Sequence, residues 1–135
     1  MNNSRIVWFL SVVMLIVFFS GCASVRKETD KTELLKNAAA KYWKLRFEDN
    51  YKDAYEMEDK SGLPEFELYR QKAILIKKFN LESYSIDKVD VEGDRGHVSL
   101  SILFYVLQVE KPFRQVLYEE WIFRDGRWLH KFPVD

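Results

Sequence analysis

The pattern of apolar and polar positions divides the chain into three stretches. Residues 6–19 are apolar except for Ser11. Residues 30–80 carry apolar side chains at helical spacing, whereas the chain beyond Leu81 is rich in β-branched and aromatic residues interrupted by turn signals. This order predicts helices first and a sheet afterwards.

Three helices are predicted in the middle stretch. The first begins at a cap formed by Asp30 and Glu33, and its inward stripe comprises Leu34, Leu35, Ala38, Tyr42 and Leu45. Asn50 resembles the cap of a second, short helix over residues 51–58. Pro64 fits the first position of a third helix that runs to about residue 80. The inward side chains of these two helices are Tyr51, Ala54, Tyr55, Phe66, Tyr69, Ala73, Ile76 and Phe79.

Four antiparallel strands are predicted to follow, near residues 83–92, 97–110, 113–124 and 127–133. Asp125-Gly126 is a signal for a two-residue hairpin turn of the primed type. This turn places Trp121 opposite His130 and Glu119 opposite Phe132. It therefore fixes which side chains of the last two strands share a face.

The other two hairpins assign the remaining strands to the same two faces. The loop between the second and third strands is predicted to set Ile102 opposite Trp121. The loop between the first and second strands is predicted to set Val98 opposite Val91. All three turns send the same side chains to one face, where the helices should pack. These side chains are Val89, Val91, Val98, Leu100, Ile102, Phe104, Leu117, Trp121, Phe123, Trp128 and Phe132.

Composition excludes several classes of function. The 135 residues include 21 basic and 21 acidic side chains, and this balance argues against a nucleic-acid-binding surface. A single cysteine excludes an intramolecular disulfide and a multi-cysteine zinc site. Two histidines, His97 and His130, are too few for a histidine-rich metal centre. We therefore expect no metal and no cofactor.

The N-terminal apolar run is typical of a secretory signal. Residues 6–19 follow Arg5 and would span about 21 Å as a helix, less than the roughly 30 Å of a hydrocarbon core. The run ends in Phe19-Ser20-Gly21-Cys22, which resembles the lipobox of bacterial lipoproteins. Phe19 departs from this pattern, since leucine is commonest there. The alternative interpretation is an uncleaved transmembrane anchor.

The lipobox resemblance implies a membrane anchor on Cys22. In lipoproteins this cysteine receives a diacylglyceryl thioether, becomes the mature N-terminus and is then N-acylated, and several acyl chains together hold a protein firmly on a bilayer. Residues 1–21 would then be a signal peptide, 22–29 an acylated N-terminus and tether, and 30–135 the folded domain. Because Ala23 is not aspartate, the resemblance favours a periplasm-facing outer-membrane location in an organism that has such a membrane.

The order of the elements resembles the cystatin-like, nuclear-transport-factor-2-like superfamily over about residues 30–133. The resemblance rests on an aromatic first helix, on the segment 50–56 and on the closing segment 119–128. It implies an α+β fold in which N-terminal helices pack on one face of a curved four-stranded antiparallel sheet, forming a cone that can hold a ligand. Members include ketosteroid isomerases, scytalone dehydratases and polyketide cyclases, and also non-enzymatic binding and assembly modules, so the fold does not decide the function.

The strongest candidate for chemistry is a pair on the buried face, Glu119 and His130. A carboxylate beside an imidazole in apolar surroundings can serve as a general acid–base pair. The alternative is a structural pair whose members satisfy each other, which is commoner in small cores. Aromatic side chains are candidates for binding a ligand at the cone's mouth, with core packing as their alternative. They are Tyr42, Trp43, Tyr51, Tyr55 and Trp121, of which Tyr42, Tyr55 and Trp121 are the main candidates.

The opposite face of the sheet carries an apolar surface, called here the outer patch, formed by Leu103, Tyr105, Leu107 and Tyr118. Such a patch is a candidate for homodimerisation or for docking a protein partner. The leading hypothesis is a membrane-anchored envelope lipoprotein whose non-catalytic domain binds a small apolar ligand or a protein partner. The alternatives are a small isomerase-, dehydratase- or cyclase-like enzyme that uses Glu119 and His130, and an envelope assembly or scaffold subunit.

Overall fold

A computed structural model describes residues 22–75, 80–106 and 109–133. The predicted signal peptide lies outside the described residues, as do Ile76, Phe79 and Leu107. The chain divides into two units, Met1–Asp30 and Lys31–Asp135, and the fold discussed below is that of the second unit.

Within residues 22–133, as far as they are described, three helices precede four strands, in the predicted order. The helices are α1 (Cys22–Phe47), α2 (Tyr51–Tyr55) and α3 (Phe66–Leu75). The strands are β1 (Asn80–Glu92), β2 (Arg95–Tyr105), β3 (Phe113–Arg124) and β4 (Arg127–His130). Consecutive strands pair antiparallel in one sheet of order β1-β2-β3-β4. The α+β fold class predicted from the sequence is confirmed.

The first helix begins earlier than predicted, and one residue of its predicted inward stripe is exposed. The helix begins at Cys22, ahead of the cap predicted at Asp30. Leu34 is 50% exposed, although it belonged to the predicted inward stripe. The buried face comprises Leu35, Ala39, Tyr42, Trp43 and Arg46, and Ala38 and Leu45 of the predicted stripe pack beside it. It includes an arginine, which hydropathy alone assigns to solvent.

The helix α2 is capped by Asn50 as predicted, whereas α3 begins at Phe66, two residues after Pro64, and Asn80 already belongs to β1. The Asn50 side-chain oxygen accepts a hydrogen bond from the Asp53 backbone N–H at 3.3 Å, which satisfies a free donor at the start of α2. Tyr51 in α2 and Tyr69 in α3 are buried. They belong to a small second core with Ala73, and its margin is formed by Tyr55, Leu63, Phe66, Ile74 and Phe132.

The chain after α2 covers the free edge of β4. α2 ends at Tyr55 instead of residue 58 because the next residues extend beside that strand. The Asp59 N–H donates to the His130 carbonyl at 2.7 Å, and the His130 N–H donates to the Met57 carbonyl at 2.8 Å. These bonds occupy backbone groups that an edge strand would otherwise expose, and they hold the intervening Glu58 beside His130.

The last hairpin has the predicted register, with Trp121 opposite His130 and Phe123 opposite Trp128. The turn residues Asp125 and Gly126 both have positive φ, of 52° and 79°, as a type I′ turn requires. The predicted pairing is therefore confirmed from Trp121 to Arg127, while β4 ends at His130, before the predicted residue 133.

The other two hairpins have different registers but the predicted faces. Ile102 lies opposite Gln115 instead of Trp121, and Val98 lies opposite Val89 instead of Val91. Both displacements are even, by six and by two positions, so every side chain remains on its predicted face. The predicted inward side chains all contact the main core or the second core.

The sheet is curved at its first strand. Extra residues interrupt the regular pairing of β1 with β2 between Leu81 and Ser83 and between Ile86 and Lys88. Such bulges bend a strand and increase its local twist. The concave face packs against α1 through Val98, Leu100, Trp121 and Trp128, which places the main core between the helix and the sheet.

Candidate functional site

The side chain of His130 lies between two carboxylates in the interior. His130 Nδ1 is 2.7 Å from Glu58 Oε2, and His130 Nε2 is 3.4 Å from Glu119 Oε1. The exposed fractions of the three side chains are 4% for His130, 0% for Glu58 and 8% for Glu119. The structure therefore brings the predicted pair together and adds a closer carboxylate that the sequence did not indicate.

A tyrosine and an arginine of α1 extend the site. The Tyr42 hydroxyl donates to Glu58 Oε1 at 2.6 Å and lies 3.4 Å from the Tyr69 hydroxyl. Arg46 Nη1 donates to the Tyr42 hydroxyl at 2.9 Å, and Arg46 Nη2 donates to the Ala73 carbonyl at 3.3 Å. The network thus joins α1, α3 and the segment beside β4. Together with His130 and Glu119, the side chains of Tyr42, Arg46, Glu58 and Tyr69 form what is called here the His130 cluster.

Two indoles close the cluster on its sheet side. Trp43 Nε1 donates to Glu119 Oε1 at 2.9 Å, and Trp121 Nε1 donates to Glu119 Oε2 at 3.4 Å. The Tyr42 ring stacks on the His130 imidazole, with 4.5 Å between ring centroids. Trp43 and Trp121 are both buried. Among the described residues, no buried side-chain nitrogen or oxygen lacks a hydrogen-bond partner. The interior of the cone is therefore filled by its own side chains at this point.

The two carboxylates hold His130 in its charged form. Burial by itself lowers the pKa of His130, but the hydrogen bonds and charges of Glu119 and Glu58 outweigh it and raise that pKa to about 9. The imidazole is then a cation at neutral pH, and it cannot accept a proton from a substrate. Two carboxylates face two cations, His130 and Arg46, so the formal charges of the cluster balance.

The tyrosines of the cluster remain neutral. Burial raises the pKa of Tyr42 well above its usual value and raises the pKa of Tyr69 to about 12. Burial also opposes the charge of Arg46, but the neighbouring Tyr42 and Tyr69 outweigh it and raise the pKa of the guanidinium. The two tyrosines of the cluster therefore act as hydrogen-bonding groups, and Arg46 acts as a fixed cation.

The three main ligand-binding candidates do not form one surface. Tyr42 and Trp121 are in contact, with 5.7 Å between ring centroids, but both are buried in the core. Tyr55 belongs to the second core, where its hydroxyl donates to the Pro64 carbonyl at 3.1 Å. These positions match the core-packing alternative, and a role in ligand binding stays a prediction.

Grooves lie on the surface instead. A groove of about 510 Å³ runs between α2 and α3, lined in part by Tyr51, Phe66 and Arg70. A second, of about 350 Å³, lies between α1 and the β3–β4 hairpin. A third, of about 320 Å³, lies on the outer face of the sheet beside His97 and Tyr118. Volumes of this size can accommodate a small ligand.

The register of β2 and β3 separates the residues predicted to form the outer patch, because Tyr118 lies opposite Ser99 whereas Leu103 lies opposite Arg114. Tyr118 is 84% exposed, and Leu103 and Tyr105 are half-buried. Val116, an exposed residue that the sequence did not single out, extends the patch along β3. In the described ranges no three metal-ligating side chains are grouped, and no described helix has the length and apolar composition needed to cross a bilayer.

Comparison with known proteins bears on the fold. No family model and no curated protein matches the sequence. Among solved structures, a SEC-C motif-containing protein from Rhodopseudomonas palustris aligns with a TM-score of 0.54 at 13% identity, over 67% of this chain and 69% of the other. A protein from Campylobacter jejuni described as NTF2-like transpeptidase aligns with a TM-score of 0.53 at 14% identity, over 73% of this chain and 97% of the other. The domain therefore has the cystatin-like, NTF2-like fold, with helices packed on a curved antiparallel sheet.

Proposed function

We propose that this chain is a membrane-anchored lipoprotein of the bacterial cell envelope whose domain binds a small apolar ligand or a protein partner at its surface, without catalysis. One observation carries the non-catalytic part of this proposal. The His130 cluster, where an enzyme of this fold would place its acid–base groups, is packed against two indoles and its polar atoms already have partners. A substrate would have to displace these contacts to reach the imidazole.

The membrane anchor is supported by the sequence that ends the apolar run. Phe19-Ser20-Gly21-Cys22 places the single cysteine of the chain where a lipoprotein is acylated. Because the residue that follows is Ala23, we propose that the protein resides at the outer membrane, facing the periplasm, where the organism has one. A domain held there presents its surface grooves and its outer patch to other envelope components.

Acylation is tested by labelling cells with an alkyne fatty acid and by mass spectrometry of the purified protein. The wild type is expected to carry the label and to begin at a modified Cys22. Cys22→Ser should lose the label, while Ser24→Ala, a neighbouring change outside the lipobox, should retain it. Ala23→Asp should move the labelled protein from the outer to the inner membrane fraction. An unmodified polypeptide that begins at Met1 would overturn the anchor.

An acid–base enzyme is the second candidate function, and one observation favours it, namely the 3.4 Å contact between Glu119 and His130. Enzymes that isomerise or cyclise carbonyl compounds abstract a proton next to the carbonyl group. The test is solvent-deuterium exchange into small ketones followed by NMR, with wild type and Glu119→Gln. We expect no exchange above the buffer rate. Exchange that is rapid in the wild type and lost in Glu119→Gln would replace the binding proposal with the enzymatic one.

A partner on the outer patch is the third arrangement, and it suits an assembly or scaffold subunit. Tyr118 is the most exposed large side chain named in the patch, and the exposed Val116 lies two residues away on the same strand face, whereas Leu103 and Tyr105 lie further along the sheet. We propose this face, in preference to the filled interior, as the site where a second copy or another envelope protein docks.

A further inference from the structure

The groove between α1 and β4 has an apolar floor. It has a volume of about 350 Å³ and is lined by Leu34, Asn37, Ala38, Lys41, Glu56, Met57, Gly126, Arg127, Trp128 and Leu129. Its apolar lining includes the half-exposed Leu34, the half-buried Met57 and the buried Trp128 and Leu129. An apolar chain laid in this groove would remove Leu34 from water.

Two cations on this groove have no anionic partner of their own. Lys41 on α1 and Arg127 on β4 are exposed, and within the described part of the chain neither side chain makes an ion pair or hydrogen bond. Glu56, the acidic residue in the lining, already pairs with Lys60 at 3.7 Å. The groove therefore offers two free positive charges beside an apolar surface.

The other two grooves offer fewer unpaired cations among the described residues. In the groove between α2 and α3, Arg70 pairs with Glu67 at 2.7 Å, which leaves Lys52 as a single unpaired cation. In the groove on the outer face, Lys88 pairs with Asp90 at 2.6 Å. An anionic ligand would have to compete with these pairs, whereas Lys41 and its partner across the α1–β4 groove are available to it.

We propose that the α1–β4 groove binds a single-chain amphiphile with an anionic head, a carboxylate or a phosphate. Its chain lies over Leu34 and Met57, and its head is held by Lys41 and Arg127. This inference rests on the proposed binding function and names its ligand class. Different residues recognise the two parts of the ligand. The apolar side chains accept any chain of suitable length, whereas the two cations select a negatively charged head.

The test compares binding of decanoate with binding of decan-1-ol, both below the concentration at which decanoate forms micelles. The protein is the chain from residue 22 onward with Cys22→Ser, which keeps every residue that lines the groove and removes the acylation site. A single cooperative melting transition verifies that each variant is folded. Isothermal titration calorimetry is expected to show decanoate binding about tenfold tighter than decan-1-ol, because each exposed charge contact contributes about threefold in affinity.

Substitutions then separate the head site from the chain site. Lys41→Gln and Arg127→Gln are each expected to weaken decanoate binding about threefold and to leave decan-1-ol unchanged. Lys44→Gln is the matched control, since Lys44 lies on the same helix but pairs with Glu48 outside the groove. Leu34→Ser should weaken both ligands about fivefold through lost apolar contact.

Several results would overturn the ligand class. These are equal binding of the acid and the alcohol, equal effects of Lys41→Gln and Lys44→Gln, or binding to anionic phospholipid vesicles with none to decanoate. The acylation test on Cys22 involves none of the groove residues, so the two proposals fail separately. Loss of decanoate binding with intact acylation removes only the ligand class, and decanoate binding with an unmodified cysteine removes only the anchor.

Discussion

Raising the pH is predicted to destabilise the domain through the buried His130. Contacts with Glu119 and Glu58 overcome the effect of burial and raise the pKa of this imidazole from 6.5 to about 9. Between these values the folded protein keeps a proton that the unfolded chain has released. The stabilisation is therefore complete below pH 6.5, and it is lost as the pH rises through about 9.

The magnitude follows from the difference between the two pKa values. Each pKa unit corresponds to about 1.4 kcal/mol, so the gap between 6.5 and about 9 is worth about 3 kcal/mol. The imidazole is buried, so solvent screening does not reduce this value substantially. Total folding free energies are about 5–15 kcal/mol, and this loss is a large fraction of such a value.

Urea unfolding at a series of pH values from 6 to 10 measures the effect. The wild-type free energy of unfolding should fall by about 3 kcal/mol across this range. His97→Gln should show the same fall, because His97 is exposed on the outer face. His130→Gln, where it folds, should be less stable at pH 6 and show a much flatter profile.

A second measurement reports on the imidazole directly. The ring protons of His130, followed by NMR in the folded protein, should titrate near pH 9. A titration near 6.5, or an unfolding free energy that is the same at pH 6 and pH 10, would refute the reasoning. Either result would mean that Glu58 and Glu119 do not hold the proton on this ring.

Three further predictions concern packing and docking. Glu58→Gln should cost about 3–5 kcal/mol in urea unfolding, because it leaves the charged His130 without its closest carboxylate. Gly96→Ala should cost about 1–3 kcal/mol, since a Cβ there would collide with Leu35 Cδ2 and lie 3.0 Å from the Trp128 ring. Tyr118→Ser should leave the free energy of unfolding within about 0.5 kcal/mol but abolish self-association through the outer patch, as measured by light scattering.

Each of these predictions has a matched control. Glu56→Gln changes an exposed carboxylate close by, and it should alter stability by less than about 0.5 kcal/mol. Combining Gly96→Ala with Leu35→Ala should cost less than the two single changes added together, because the clash is then relieved. A monomeric wild type whose light scattering Tyr118→Ser leaves unchanged would argue against docking of a second copy on the outer patch.

Part of the candidate site could be predicted from the sequence. The turn Asp125-Gly126 fixes Trp121 opposite His130, and the alternation of the strand then places Glu119 on the same buried face. Glu58 could not be predicted in this way. It reaches His130 through a bridge between residues 72 positions apart in the chain, and no local pattern marks that contact.

The buried arginine was missed for a related reason. Arg46 lies one helical turn beyond Tyr42. At such a position the hydropathy pattern predicts that a charged side chain faces solvent. Its burial depends on partners supplied by other elements, among them the Ala73 carbonyl of α3. A charge can be buried only where such partners already surround it, and their positions are a property of the assembled fold.

The sequence by itself determined the order of the elements, the fold class and the face on which each strand residue lies. Side chains along a strand alternate between the two faces with a period of two. Because the register displacements of six and two positions are both even, each side chain stays on its predicted face. Only the tertiary structure decided which residues are opposite one another, that the cone is filled and that His130 lies between two carboxylates. These features depend on contacts between distant segments, where packing and charge pairing choose among several arrangements that the local pattern permits equally.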